Sequence, residues 1–327
     1  MRSTIARFTL LALLLLALAP AAGAQPSRKV RIGYLSGNPP SDTRDALAGF
    51  RTKLRELGYV EGNNLLVDVR YADGRYDRLP DLAADLVRLK VDVIFSYGTP
   101  GSLAAKNTTN TIPIVFGGVA DPLGVGLVAT VTRPGANVTG VMSNNPELGA
   151  KRLSLLKEAI PGLSRVAVLA NPDFKPTASM VTETKLGARS LGVEVQVVEA
   201  RTPQEIANAF GVISTAKVNA LAVLVDPMFI AERQRIAELA MKNRIPAIYH
   251  LRQFVEAGGL ISYGVDYVEA FQQSAVLVDK ILKGAKPADL PVEQPWRFAL
   301  VINLKTASAL GLTIPPSLLL RADQIIQ

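Results

Sequence analysis

Tyr97-Gly98-Thr99-Pro100-Gly101-Ser102 joins two glycines, which let a backbone come close to a partner, to a proline suited to a first helical turn and two hydroxyls beside it. A carboxylate suits this combination, held by Thr99 or Ser102 and by exposed helix-start N–H groups; the same residues would serve equally well as N-caps. Asp121-Pro122 and Asp226-Pro227 each place a carboxylate just after an apolar run. Asp121 and Asp226 could take an ammonium group, or each could cap a following helix. Ser36-Gly37-Asn38, Ser143 and Asn171 add hydroxyl, backbone and amide groups. Tyr34, Tyr97, Phe116, Phe174, Phe229, Tyr249 and Tyr263 sit at or just past apolar runs, where a ring could stack on a planar solute or simply fill core. The candidate binding set is Ser36, Gly37, Asn38, Thr99, Ser102, Asp121, Ser143, Asn171, Asp226 and Tyr263.

This is chemistry for holding a molecule, and the residues for transforming one are missing. The 327-residue chain has one histidine, His250, and no cysteine. That excludes a histidine-rich or thiolate metal site, a cysteine nucleophile, a disulfide frame and a lipid-bearing cysteine. A Ser-His-Asp triad would have to use His250, yet no Gly-x-Ser-x-Gly elbow accompanies it, so His250 reads as packing near a chain crossing. Gly124-Val125-Gly126-Leu127-Val128-Ala129 resembles part of a dinucleotide fingerprint, but Asp121-Pro122 separates it from the preceding strand and no Gly-Lys-Ser/Thr loop occurs. These glycines read as close packing at a helix start. No catalytic residue, metal or cofactor is expected.

The loops must be positioned by elements, and the elements alternate. Short β-branched runs at 30–35, 65–71, 91–96 and 112–116 are separated by helical-period stretches at 42–57, 79–89 and 100–107. The pattern then repeats, with strands at 165–170, 193–198, 220–225 and 247–249 and helices at 177–191, 203–216 and 232–243. Such alternation predicts α/β architecture: two doubly wound parallel-sheet lobes, whose ligand would sit beyond the carboxyl ends of the strands. Asn137-Val138-Thr139-Gly140, Ser262-Tyr263-Gly264 and the stretch 290–299, which holds the single tryptophan Trp296, read as three crossings between lobes. Lobe 1 would then comprise 25–140 and 265–297, with the helix at 267–282 returning to it, and lobe 2 would comprise 141–264 and 298–327. Such a three-segment hinge lets lobes close on a ligand.

Formal charge is +8, but the basic residues are scattered, without a Lys/Arg block or zinc-finger spacing, so a solvated basic surface is expected and nucleic-acid binding is not. Residues 1–24 read as a cleaved secretory signal: Arg2 and Arg7 lead, residues 10–19 are apolar, and Ala22-Gly23-Ala24 suits a signal peptidase. The apolar run falls well short of the ~20 residues a spanning helix needs. Cleavage after Ala24 would release a periplasmic protein.

With these loops located, the chain resembles the bacterial ABC-transporter substrate-binding proteins grouped with tryptophan and tyrosine import. The resemblance rests on Gly33-Tyr34-Leu35-Ser36, Gly58-Tyr59-Val60-Glu61-Gly62-Asn63, Asp121-Pro122-Leu123-Gly124, Asn137-Val138-Thr139-Gly140-Val141, Lys151-Arg152-Leu153-Ser154-Leu155-Leu156-Lys157-Glu158, Leu300-Val301-Ile302-Asn303-Leu304-Lys305-Thr306-Ala307 and Leu310-Gly311-Leu312-Thr313-Ile314-Pro315-Pro316-Ser317. It implies a type I periplasmic-binding-protein fold, a membrane permease and its ATPase as partners, a monomer, and ligand contacts from Ser36, Thr99, Asp121, Asn171 and Asp226. The aromatic-amino-acid branch would carry an acidic residue just after Gly140-Val141, where this chain has Met142-Ser143-Asn144-Asn145. Amino-acid-like and aromatic carboxylate solutes are therefore both open, and a ligand-sensing subunit of a signalling receptor is the alternative function on the same fold.

Overall fold

The computed structural model describes residues 29–143, 147–295 and 297–327. Residues 1–24, read above as a secretory signal, and Asn144, Asn145 and Trp296 lie outside the described residues. Five strands, β1 (Val30–Ser36), β2 (Leu65–Tyr71), β3 (Val93–Tyr97), β4 (Ile114–Val119) and β5 (Val138–Met142), form one parallel sheet in the order β2-β1-β3-β4-β5. Helices α1 (Pro40–Glu56), α2 (Leu79–Arg88) and α3 (Gly98–Thr108) connect its strands. The inner strands are buried continuously rather than alternately, as a sheet covered on both faces requires.

A second sheet is made by β6 (Arg165–Ala170), β7 (Glu194–Glu199), β8 (Ala220–Val223), β9 (Ala247–Tyr249), β10 (Ile261–Val265), β11 (Phe298–Asn303) and β12 (Gln324–Ile326), in the order β12-β11-β10-β9-β8-β6-β7. Around it lie α4 (Glu147–Ala159), α5 (Thr177–Ser190), α6 (Pro203–Thr215), α7 (Pro227–Ala231), α8 (Arg233–Lys242) and α9 (Arg252–Glu256). Every pair is parallel except β10 with β11. The exception has a topological cause: β10 carries the chain out of this lobe at the hinge, and β11 brings it back at the same end, so it must run the other way. Between them α10 (Tyr267–Leu282) packs along α1 and against β3, β4 and β5 of the first sheet. The chain ends in α11 (Leu304–Ala309), α12 (Pro316–Leu319) and β12, on the second sheet.

Two expectations shift. Residues 137–140 do not cross between lobes, because Val138–Met142 is the edge strand β5 and its chain leaves the first sheet only after Met142. The third connection runs first along β5, where Glu293 N donates to the Gly140 carbonyl at 2.8 Å, before reaching β11. The glycines at 124–129 mark no helix start; they form successive turns, with Gly126 N donating to the Leu123 carbonyl at 2.8 Å.

The core of the first lobe is aromatic. Phe50 stacks on Phe95 at 4.3 Å, Phe271 meets Phe95 edge-on at 4.8 Å, and Tyr34 lies 5.5 Å from Phe95. Burying each ring contributes roughly 1.5–3 kcal/mol. Because Phe271 comes from α10, this cluster ties the returning helix to its sheet and so fixes the hinge.

Candidate functional site: a cleft between two sheets

The carboxyl ends of both sheets face one another across a small cavity of about 40 Å³. From the first lobe come Gly37 and Asn38 after β1, Tyr76 after β2, Tyr97 to Pro100 after β3, and Gly118 and Ala120 at and after β4. The second lobe contributes Phe174, Val225, Pro227 and Ile230, and Tyr267 enters from the start of α10. Among the described residues no charged side chain lines it. Its volume accommodates only a few waters, so a solute with a ring and a polar head requires the lobes to stand further apart than they do here.

Local sequence explains how the walls form. Ser36 accepts from Asn38 N at 3.1 Å and donates to the Asn38 carbonyl at 3.2 Å, which folds the loop so that Gly37 and Asn38 reach the cavity. Gly37 and Gly118 admit tyrosine rings: a Cβ at Gly37 would lie 2.5 Å from the Tyr76 ring, and one at Gly118, whose φ is +75°, would lie 2.6 Å from Tyr267. Tyr97 meets Tyr267 edge-on at 5.4 Å. Burial pushes both phenols up; for Tyr267 the Ser143 hydroxyl and the Tyr97 phenol offset part of that. Helix α3 starts behind this pair without a side-chain cap, so its first N–H groups are left to the cleft.

The structure therefore sorts the candidates. Gly37, Asn38 and Thr99 line the cavity, and Ser36 and Ser143 stand directly behind it. Ser102 is fully buried, its hydroxyl engaged by the Gly98 carbonyl at 2.7 Å and Ser96 at 2.9 Å. Asp121 lies outside the cavity and caps a turn, accepting from Gly124 N at 2.8 Å. Asp226 and Asn171 bind each other at 3.0 Å, and the second Asp226 oxygen caps α7 through Phe229 N at 3.0 Å. Burial raises the Asp226 pKa, with the Phe229 N–H and the Asn171 amide offsetting part. Tyr263 faces a separate groove in the second lobe, beside Phe298 and Lys151. Of the aromatic candidates, Tyr97 and Phe174 reach the cavity, whereas Tyr34, Phe116, Phe229 and Tyr249 are fully buried. Tyr76 and Tyr267 were not among the candidates. The loop after the second strand, and the first residue after a strand-to-helix crossing, were the signals that would have found them.

Around this uncharged centre the rim is charged. Arg233 of α8 makes a two-pronged bridge to Asp42 of α1, at 2.8 and 3.2 Å, with Asp42 only 7 % exposed. Arg252 of α9 reaches Asp45 at 2.6 Å on a more open surface. Gln253 donates to the Asp42 carbonyl at 3.4 Å, and Tyr76 to the Pro227 carbonyl at 3.4 Å. All four contacts join one lobe to the other. Asp42, Asp45, Arg252 and Gln253 line a second interlobe crevice of about 440 Å³, which His250 also lines. His250 is 3 % exposed, and among the described residues its ring nitrogens meet no hydrogen-bond partner of good geometry. Burial, then the positive charge of Arg152, push it down to about 3, the Val223 carbonyl offsetting part, so it is neutral at pH 7. Among the described residues no cluster of His, Cys, Asp or Glu could hold a metal, and no helix is long and apolar enough to cross a membrane.

Two α/β lobes joined by three crossings, with an aromatic cavity between them, define a two-lobed solute-binding protein of the type I periplasmic-binding-protein fold. Residues 40–326 match the family described as ABC transporter substrate binding protein, and the chain belongs to it. It is 28% identical over 289 residues to a tyrosine-binding protein of Clostridioides difficile (strain R20291), covering 88% of this chain and 82% of that one. Among solved structures, an ABC domain from Streptococcus pneumonia in complex with L-Trp aligns with TM-score 0.84 and 28% identity, over 91% of this chain and all of that one. The ligand-free, open structure of a substrate-binding protein with adhesive properties from Clostridium difficile aligns with TM-score 0.73 and 26% identity, over 91% and 99%.

Proposed function

We propose that this protein captures an amino-acid-like or aromatic carboxylate solute between its lobes and delivers it to a membrane permease driven by an ATPase, without chemical change to the solute. The observation that carries this reading is the cavity itself: both sheets present their carboxyl ends to it, its walls combine four aromatic rings with glycines, small apolar residues, Asn38 and Thr99, and no described side chain lining it is charged. Opening admits the solute, the rings of Tyr76, Tyr97, Tyr267 and Phe174 hold its apolar part, and the free N–H groups at the start of α3 face its polar end. Closure re-forms the rim bridges and presents the closed pair of lobes to the permease. Removal of residues 1–24 would place the monomer in the periplasm.

Calorimetry of the mature protein against L-amino acids and small aromatic acids tests the reading. Saturable one-to-one binding of at least one of them, with no product in the recovered solute, is the expected result. Absence of binding across the panel, or turnover of the bound solute, overturns it.

A further inference from the structure

Arg152 stands on α4 at the hinge side of the cleft and is 8 % exposed. Its Nε donates to the Tyr263 carbonyl at 2.7 Å, which pins β10 just before the crossing. No described carboxylate oxygen comes within 4.0 Å of its guanidinium. Of the other interlobe arginines, Arg233 has Asp42, Arg252 has Asp45 and Glu256, and Arg297 has Asp266, Glu269 and Asp323, whereas Arg44 has no described ion pair but is exposed to water. The groups that Arg152 does feel are the Tyr267 and Tyr263 phenols and the neutral His250. Burial brings its pKa down to about 10, so it keeps its charge at pH 7.

A buried guanidinium without a counter-ion is costly, and carbonyl hydrogen bonds repay only part of that cost. The position suggests where the missing charge comes from. Tyr267 lines the cavity and lies within electrostatic reach of Arg152, yet Tyr267 begins a helix packed on the first sheet and Arg152 belongs to a helix packed around the second. A movement of the lobes apart would carry these two helices away from each other. Among the described residues no acidic or basic side chain lines the cavity, and Arg152 is a buried cation beside the Tyr267 wall with no described carboxylate in ion-pair reach.

We propose that Arg152 is the specificity-determining residue of the cleft, supplying the counter-charge for the carboxylate of the solute and so selecting anionic over neutral molecules. This rests on the solute-capture reading and adds the charge class to it. A role confined to pinning the Tyr263 carbonyl would affect charged and neutral solutes alike, which separates the two roles experimentally.

The test is calorimetry of the mature protein with L-tyrosine against L-tyrosinamide, L-tryptophan against L-tryptophanamide, and benzoate against benzamide, for wild type, Arg152→Gln and Arg152→Lys. Wild type should prefer the carboxylate of the pair it binds by about 100-fold, the size expected of a desolvated charge pair. Arg152→Gln should reduce that preference to about threefold or less, and Arg152→Lys should keep most of it. His250 offers a readout in the unaltered protein, because it is the only histidine and lies within electrostatic reach of Arg152. Its imidazole NMR signals should move with the carboxylate and not with the carboxamide, which decides the matter even if Arg152→Gln does not fold. Equal wild-type affinity for acid and amide, or an undiminished preference in Arg152→Gln, overturns the inference while leaving solute capture standing. No binding of any of the six compounds overturns both.

Discussion

The centre of the cleft and its rim are built from opposite materials. The centre is aromatic and glycine-rich, with Tyr97, Tyr267, Tyr76 and Phe174 packed around a cavity that no described charged side chain lines. The rim is a set of arginine–carboxylate bridges from α8 and α9 to α1. Rings in a dry centre stabilise through area and shape, act at short range and report on what is held. Ion pairs at a rim act only when the lobes meet, and each is worth little where water reaches it. Under the proposed solute capture, this division would give recognition to the centre and closure to the rim.

Breaking the centre should have the largest effect. Tyr97→Ala removes a ring that contacts both Tyr267 and Phe271, and truncations of this kind cost about 3–5 kcal/mol. A lower urea midpoint and loss of solute binding are expected together. If binding survived at wild-type affinity, recognition would not reside in these rings.

The buried imidazole lining the rim crevice comes next. The folded-state pKa of His250 lies at about 3, below the ordinary histidine value, so the unfolded chain binds the proton first as pH falls. Stability is full above the unfolded value and declines as pH drops from about 6.5 toward 3. At pH 4.5 the loss relative to pH 7 should be about 2–3 kcal/mol. His250→Leu, which cannot titrate, should flatten that acid limb in urea titrations at several pH values; an unchanged slope would show that other groups control it.

The smallest effects should lie within the rim and should differ between its two bridges. Arg233→Ala strands the nearly buried Asp42 carboxylate and should cost the closed form roughly 1–3 kcal/mol, visible as a larger radius of gyration by X-ray scattering. Arg252→Ala breaks a bridge whose partners are both well exposed, and below about 1 kcal/mol is expected. Equal scattering changes from the two would mean that burial of Asp42 does not govern closure.

Much of this organisation is legible in the amino-acid order. The helix at 267–282 and the strands at 65–71 and 165–170 coincide with Tyr267–Leu282, Leu65–Tyr71 and Arg165–Ala170, because each has both a clear period and a clear stop. Gly37, Asn38 and Thr99 reach the cavity because ends of parallel strands are read from the same apolar runs that make the strands. Asp121 and Asp226 look alike in sequence, each before proline, yet one caps a turn and the other caps α7 while holding Asn171. Tyr263 and Tyr267 are four residues apart and face different cavities, since one lies in β10 and the other starts α10.

The order of residues by itself determined the alternation of strand and helix, the absence of thiols and the poverty in histidine. These follow from periodicity and composition, which are local properties. Which aromatic rings share one cavity, which carboxylates are already engaged by their neighbours, and which buried arginine is left without an acid were decided only by tertiary structure. Those outcomes depend on elements far apart in the chain, brought together by three crossings whose geometry no local pattern encodes.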